Sequence, residues 1–428
     1  MHTHHLGVAR AALVLSLFLS TLPALADDAP GRSLALGEAI GLAREHSPLL
    51  EAARARIGEA EGDLTQASIL LVRNPRLSLS AGPRFLSGPG GGSELDAQVG
   101  LQQRLEIGGQ RRHRVERAKA LQSASQAQAA DVDRVVTQSV ALVFFEVLGA
   151  ANELELTEEN AKLAESLYEI ARSRVSAGAA APLEENTARI RRADATRMLV
   201  QAEARLRSAE FRLATTLGLS SAVTVHAQGE LPESASLPPL GELLAAASDK
   251  HPRLLAARST VDASQSDSAL ADAEAWPDLT LGASYSREER DDVVMGGVTI
   301  PIPVFNRNQG ERVRAKAAAR RTAAVARSLQ LEIESEIRRS YANYEAATRS
   351  LAAFDADVLR SQDENLELIE AMFQAGKIRY VDVILLQREV IEGRLGYLNA
   401  RLELARAEVA TRSAAGIALT QNFRGNQR

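Results

Sequence analysis

Polar and apolar positions along this chain follow two different periods. Leu77, Leu79 and Ala81 alternate with Arg76, Ser78 and Ser80, and Leu95, Ala97, Val99 and Leu101 alternate with Asp96, Gln98, Gly100 and Gln102. An apolar row beside a polar row at period two predicts half-buried strands. DLTLGASYS and VVMGGVTIPIP read the same way, so two β-hairpins are expected, at about 75–106 and about 277–304. The segments joining the paired strands, GPRFLSGPGGGSE and REERDD, are glycine-rich or charged and read as loops, the first flexible and the second a solvated turn.

After each hairpin the period becomes three to four, as in Val132, Val135, Val136, Val140 and Val143. These proline-free runs, 111–181 and from 304 onward, are rich in Ala, Arg, Glu, Gln and Leu and predict long helices that need a helical partner. Arg111 to Ala177 would extend roughly 100 Å as one helix, wider than any compact core. The helix must therefore fold back on itself. SAGAAAPLEENTAR (176–189) and QAGKIRYVDVILLQRE (374–389) supply the turns: Gly178 and Gly376 end one helix, and Pro182 suits the first turn of the next. Ahead of each hairpin, a short helix ending near Pro48 or Pro252 precedes a second of about 25 residues.

The two halves resemble each other. LGEAIGLAREHSPLLEAAR at 36–54 aligns without a gap on LGELLAAASDKHPRLLAAR at 240–258. From Val115 with Val313 the spacing is constant through Gly178 with Gly376 to Gly218 with Gly416. This predicts an internal tandem repeat, 27–217 and 240–428, joined by a linker at 218–239 that holds one short strand, Ala222 to Ala227.

At residues 1–26 an apolar core follows Arg10 and ends in Ala24-Leu25-Ala26, which reads as a signal peptide cut after Ala26. The chain has no cysteine, hence no disulfide and no lipid anchor on an N-terminal Cys. Beyond the signal no apolar run approaches the roughly 18 residues of a spanning helix, so entry into a membrane would require a β-barrel. With 50 basic and 55 acidic residues interleaved, nothing forms the basic stripe that nucleic acid requires.

Catalytic signals are sparse. His46, His113, His226 and His251 are isolated in sequence and read as surface or helix-end residues rather than metal ligands. AGKI at 375–378 lacks the first glycine and the Ser/Thr of a phosphate loop. No cofactor is expected. The most informative short stretch is IPIPVFNRNQG, 300–310: Pro301 and Pro303 cannot donate to a ladder and suit a strand's last residues, while Asn306, Arg307 and Gly310 belong to turn and capping chemistry before a helix. Gly108 and Gly109 occupy the same junction in the first half. Four strands fit either a soluble sheet or part of a membrane barrel, which needs at least eight; three chains would supply twelve.

Taken together, LEIGGQRRHRVERAKA (105–120), IPIPVFNRNQGERVRAKA (300–317) and AGKIRYVDVILLQ (375–387) resemble the TolC-type outer membrane efflux family, most closely its CzcC-like heavy-metal branch. The resemblance spans essentially the whole mature chain. It implies a mainly α fold with a small β part: long helical hairpins forming a coiled-coil tunnel, and four strands per chain contributing to a twelve-stranded trimeric barrel. It further implies a homotrimer in the outer membrane lipid of a Gram-negative bacterium, docked on a periplasmic adaptor (membrane fusion protein) and an inner-membrane RND pump, conducting heavy-metal cations passively. The family's periplasmic gate maps onto Gly376, Arg379 and Asp382, with Gly178 and Glu184 in the first half. Three Asp382 carboxylates would ring the opening, or each would serve its own helix N-terminus; Arg379 could tether neighbouring helix ends. Leu385 stands where some relatives carry a second acid. Other readings are a periplasmic coiled-coil adaptor or rod, or the same duct exporting drugs or protein.

Overall fold

The computed structural model describes residues 32–85, 91–220, 223–234, 236–288, 291–354 and 356–419. The expected signal peptide and most of SGPGGGS lie outside them. The chain is mainly helical. β1 (Arg32–Leu34), α1 (Leu36–His46) and α2 (Pro48–Ser68) come first, then β2 (Arg76–Phe85), β3 (Ser93–Leu105), α3 (Gln110–Ser176) and α4 (Pro182–Thr216). After β4 (Val225–Ala227) come α5 (Leu240–Lys250), α6 (Pro252–Ala273), β5 (Leu279–Glu288), β6 (Asp291–Thr299), α7 (Gln309–Leu351), α8 (Ala356–Gln374) and α9 (Tyr380–Ala414).

α3 is one unbroken helix of 67 residues. α4 returns along it and buries Ala188, Ala195, Ala202 and Ala209, one every seven residues. That spacing keeps the smallest side chain at the seam and lets the two backbones approach closely, the geometry of a left-handed coiled coil. Ala53, Ala60 and Ala67 repeat the device on α2. The widest core gathers around the middle of α3, where Val140, Phe144 and Leu148 meet Leu34, Ile40, Leu213 and Val225.

The second long run differs from expectation. It is not continuous: α7 ends at Leu351, and Ala353 and Phe354 close the last turn with tight bonds to the carbonyls of Ser350 and Leu351. Phe354 turns aside to pack on Tyr397, with ring centroids 5.7 Å apart, over Gly396, where an added Cβ would meet the ring at 3.3 Å. An aromatic anchor thus interrupts the helix without proline or glycine at the break.

β2, β3, β5 and β6 form one antiparallel sheet in that order. Two of its strands run further than the sequence pattern implied. Gly82–Phe85 extends β2, and most of REERDD is strand: Arg287 pairs with Asp292 and Glu288 with Asp291, leaving only residues 289–290, outside the described chain, between them. The opposed charges of Arg287 and Asp292 suit a cross-strand pair. The linker strand is shorter than expected, 225–227, and pairs in parallel with β1, whose pairing had no sequence signal.

Candidate functional site

The sheet's register sorts its side chains onto two faces. Leu77 lies opposite Leu101, Leu101 opposite Ala283, and Ala283 opposite Gly296; Leu79, Val99, Tyr285 and Val294 form the next row. This face is apolar and uncovered within the chain, with Leu79 at 71% and Val294 at 77% exposure. The opposite face carries Ser78, Gly100 and Ser284 in a row that ends on Met295, Gln98 and Ser286 in a row that ends on Val293, and, towards the hairpin turns, Arg84 bonded to Asp96 at 2.7 Å. Strands of 9 to 13 residues match the span of a tilted transmembrane strand, about 9–11 residues. β2 and β6 each have a neighbour on one side only. The sheet is thus apolar on one face, more polar on the other and open at both edges within the chain.

Below the sheet lies the junction. β6 stops at Thr299, so Pro301 and Pro303 fall just beyond the strand, where their missing amides cost the ladder nothing. Asn306 Oδ1 accepts from the Asn308 amide at 3.0 Å, and Asn308, in the left-handed region at φ 59°, caps α7. Its amide side chain donates to Ala271 O at 3.0 Å, tying the new helix to α6. Arg307 Nε donates to Pro303 O at 3.2 Å. Gly310 is already the second residue of α7 rather than part of the turn. In the first half Gly109, at φ 80°, is the cap, and Gly108 is required by contact: a Cβ there would lie 2.7 Å from Ala273 O.

At the far end of the helices the two turns lie side by side. Gly178 and Gly376 adopt φ 71° and 65°, and each closes its helix with paired 6→1 and 5→2 bonds, Ala179 to Arg174 O with Gly178 to Val175 O, and Lys377 to Met372 O with Gly376 to Phe373 O. Arg174 joins them: Nη1 donates to Phe373 O at 3.1 Å, Nε lies 3.2 Å from Glu184 Oε1, and the guanidinium stacks 4.9 Å from the Phe373 ring centre. Phe373 and Tyr380 pack with Leu167, Ala171, Ala188 and Val383 in a small core shared by α3, α4, α8 and α9. Burial pushes the Tyr380 hydroxyl up to about 12. Among the described residues Arg379 does not reach another helix end; it grips Asp382 with two bonds, 3.0 and 3.1 Å, which hold the Asp382 carboxyl below the usual range. The pair stands at the start of α9, where the carboxylate also faces the helix N-terminus. Arg174, Phe373 and Tyr380 were not singled out from sequence, because Arg174 and its acceptor are 199 positions apart.

The histidines occupy separate places. His46 ends α1, His113 contacts Glu116, His226 contacts Glu210 at 2.6 Å, and His251 caps α6. No cluster of metal-binding side chains occurs among the described residues.

A family model described as outer membrane efflux protein matches residues 39–219 and 243–417. The chain belongs to that family. Membership places it in the outer membrane, with a helical periplasmic part, as a conduit and not an enzyme. Similar proteins include the cobalt-zinc-cadmium resistance protein CzcC of Cupriavidus metallidurans, 28% identical over 89% of both chains. The pyoverdine export outer membrane protein OpmQ of Pseudomonas putida is 25% identical over 89% of this chain and 85% of its own. Among solved structures, CusC, described in terms of transmembrane channel formation, superposes with a TM-score of 0.75 at 18% identity, covering 90% of this chain and 92% of its own.

Proposed function

We propose that three copies of this chain close a twelve-stranded barrel, β6 of each pairing with β2 of the next. The chain would be built from two copies of one unit, 27–217 and 240–428, joined at 218–239, so that each copy contributes a hairpin to the barrel and a long helical hairpin to a tunnel beneath it. The observation that carries this reading is the four-stranded sheet, apolar on one face, polar on the other and open at both edges. The tunnel docks on a periplasmic adaptor and an inner-membrane RND pump, which supplies the energy. Heavy-metal cations are the proposed cargo, supported by the similarity to CzcC; the similarity to OpmQ supports a second reading, an organic cargo. Deleting the gene and measuring tolerance to zinc, cobalt, cadmium, copper and drugs separates them: sensitivity to drugs alone would overturn the metal assignment.

The gate in this reading is the tip. Arg174 latches the first turn to the second, and Asp382 lines the opening while Arg379 offsets its charge. In planar bilayers Asp382→Asn weakens block by multivalent cations, and Arg379→Ala strengthens it by uncovering the carboxylates. Unchanged currents and blocker affinity in both variants would remove Asp382 from the opening.

A further inference from the structure

A cleft of about 680 Å³ opens at the junction, directly beneath the sheet. Its walls combine two kinds of side chain. Phe305, Ile302, Leu70 and Trp276 are apolar and exposed at 92, 82, 74 and 67%. Arg73 and Arg307 are cationic and make no ion pair among the described residues, whereas two of the three carboxylates at the cleft are paired with arginine, Asp278 with Arg104 and Glu106 with Arg114, and Glu274 meets only the Asn308 side-chain amide at 3.4 Å. The cleft therefore presents apolar surface together with two guanidinium groups against one carboxylate that no cation pairs.

Its position identifies the occupant. The alternation that places Val294, Gly296 and Val298 on the apolar face continues in sequence through Ile300 and Ile302, with Pro301 and Pro303 between. The exposed apolar side chains at the junction thus extend the face that meets lipid, at the end of the sheet where the helices begin. Tryptophan at the headgroup level, and arginine beside it, are the side chains that this boundary favours, one for its amphipathic ring and the other for phosphate. We propose that the cleft binds a glycerophospholipid of the periplasmic leaflet, the phosphate held by Arg73 and Arg307 and the acyl chains lying on Trp276, Ile302, Phe305 and Leu70. The proposal rests on the barrel reading above and adds to it an anchor that fixes how deep the wall sits.

Trp276 is the one tryptophan of the chain, so its fluorescence reports on this cleft alone. The full protein is reconstituted into vesicles of phosphatidylcholine and phosphatidylglycerol, either lipid brominated near the headgroup end or near the methyl end of its chains. Bromine near the headgroup end is expected to quench Trp276 the more strongly. Brominated phosphatidylglycerol should be preferred over brominated phosphatidylcholine by about thirtyfold, about fivefold for each arginine. Arg73→Gln with Arg307→Gln removes the preference for the anionic lipid and leaves the depth dependence intact. Emission indifferent to all brominated lipids would overturn the proposal, whether aqueous iodide reaches Trp276 or a neighbouring copy covers it. Equal quenching by the two lipids that Arg73→Gln with Arg307→Gln leaves unchanged would overturn the phosphate assignment. Failure of the barrel reading is separately visible, as protein that does not float with the vesicles.

Discussion

His251 makes the stability of this chain depend on pH in a calculable way. The side chain is 2% exposed, and its Nδ1 accepts the Arg253 amide at 3.2 Å, capping α6. Burial lowers its pKa from 6.5 to about 4; Arg134 and Arg253 push in the same direction and Asp131 opposes them. Protonation would also forfeit the cap, since the accepting nitrogen would become a donor. In the unfolded chain the ring takes up its proton near pH 6.5, so between pH 6.5 and about 4 the unfolded state binds more protons than the folded one. Stability is complete above pH 6.5 and is lost as pH falls towards 4. A pKa lowered from 6.5 to about 4 corresponds to about 3 kcal/mol per chain. At ~2.1 cal/mol/K per residue, a chain of 428 residues has an unfolding entropy of ~0.9 kcal/mol/K, so the loss lowers Tm by about 3 °C. His251→Asn keeps a capping side chain and does not titrate. Melting followed by helical circular dichroism at pH 7.5, 6, 5 and 4 should show a Tm decline in the parent that exceeds the variant's by that amount. Parallel declines would refute the reasoning, because acidification would then be acting only through groups the two proteins share.

Leu79→Arg places a charge on the apolar sheet face and is expected to cost about 2–4 kcal/mol per chain at the bilayer midplane, whereas Ser80→Arg points the same charge to the polar face. Outer membrane fractions should be depleted of the first and not the second; equal abundance would contradict the assignment of faces. Gly218→Ala should destabilise the chain more than Gly178→Ala. Both glycines have positive φ, worth roughly 1–2 kcal/mol, but only at Gly218 would the new methyl meet a backbone oxygen, His46 O at 2.5 Å. Thermal melts rank the two, and a reversed order would refute the contact argument.

Much of this architecture was legible because it is local. Alternation from Leu77 to Leu101 revealed two strands and their apolar rows, and Gly178 with Pro182 revealed where a long helix turns back. The strand ends were misread because Arg287 and Asp292 resemble a solvated loop until they are placed opposite each other. The break after Leu351 was hidden, since its cause is Phe354 packing on Tyr397, more than forty positions away. At the tip, the turn glycines and Asp382 were visible in the sequence. Arg174 was not, because its partners belong to other helices and no spacing rule connects them.

The open edges of the sheet carry a genetic consequence. In the proposed trimer, a barrel closed by three seams would use every copy's β2 and β6, so a chain damaged at one edge would spoil the neighbour it should have paired with as well as itself. In a cell making damaged and intact chains in equal amounts, only about one trimer in eight would contain no damaged subunit. Lesions in β2 or β6 should therefore be dominant, while lesions that prevent folding altogether, and so never reach an assembly, should be recessive.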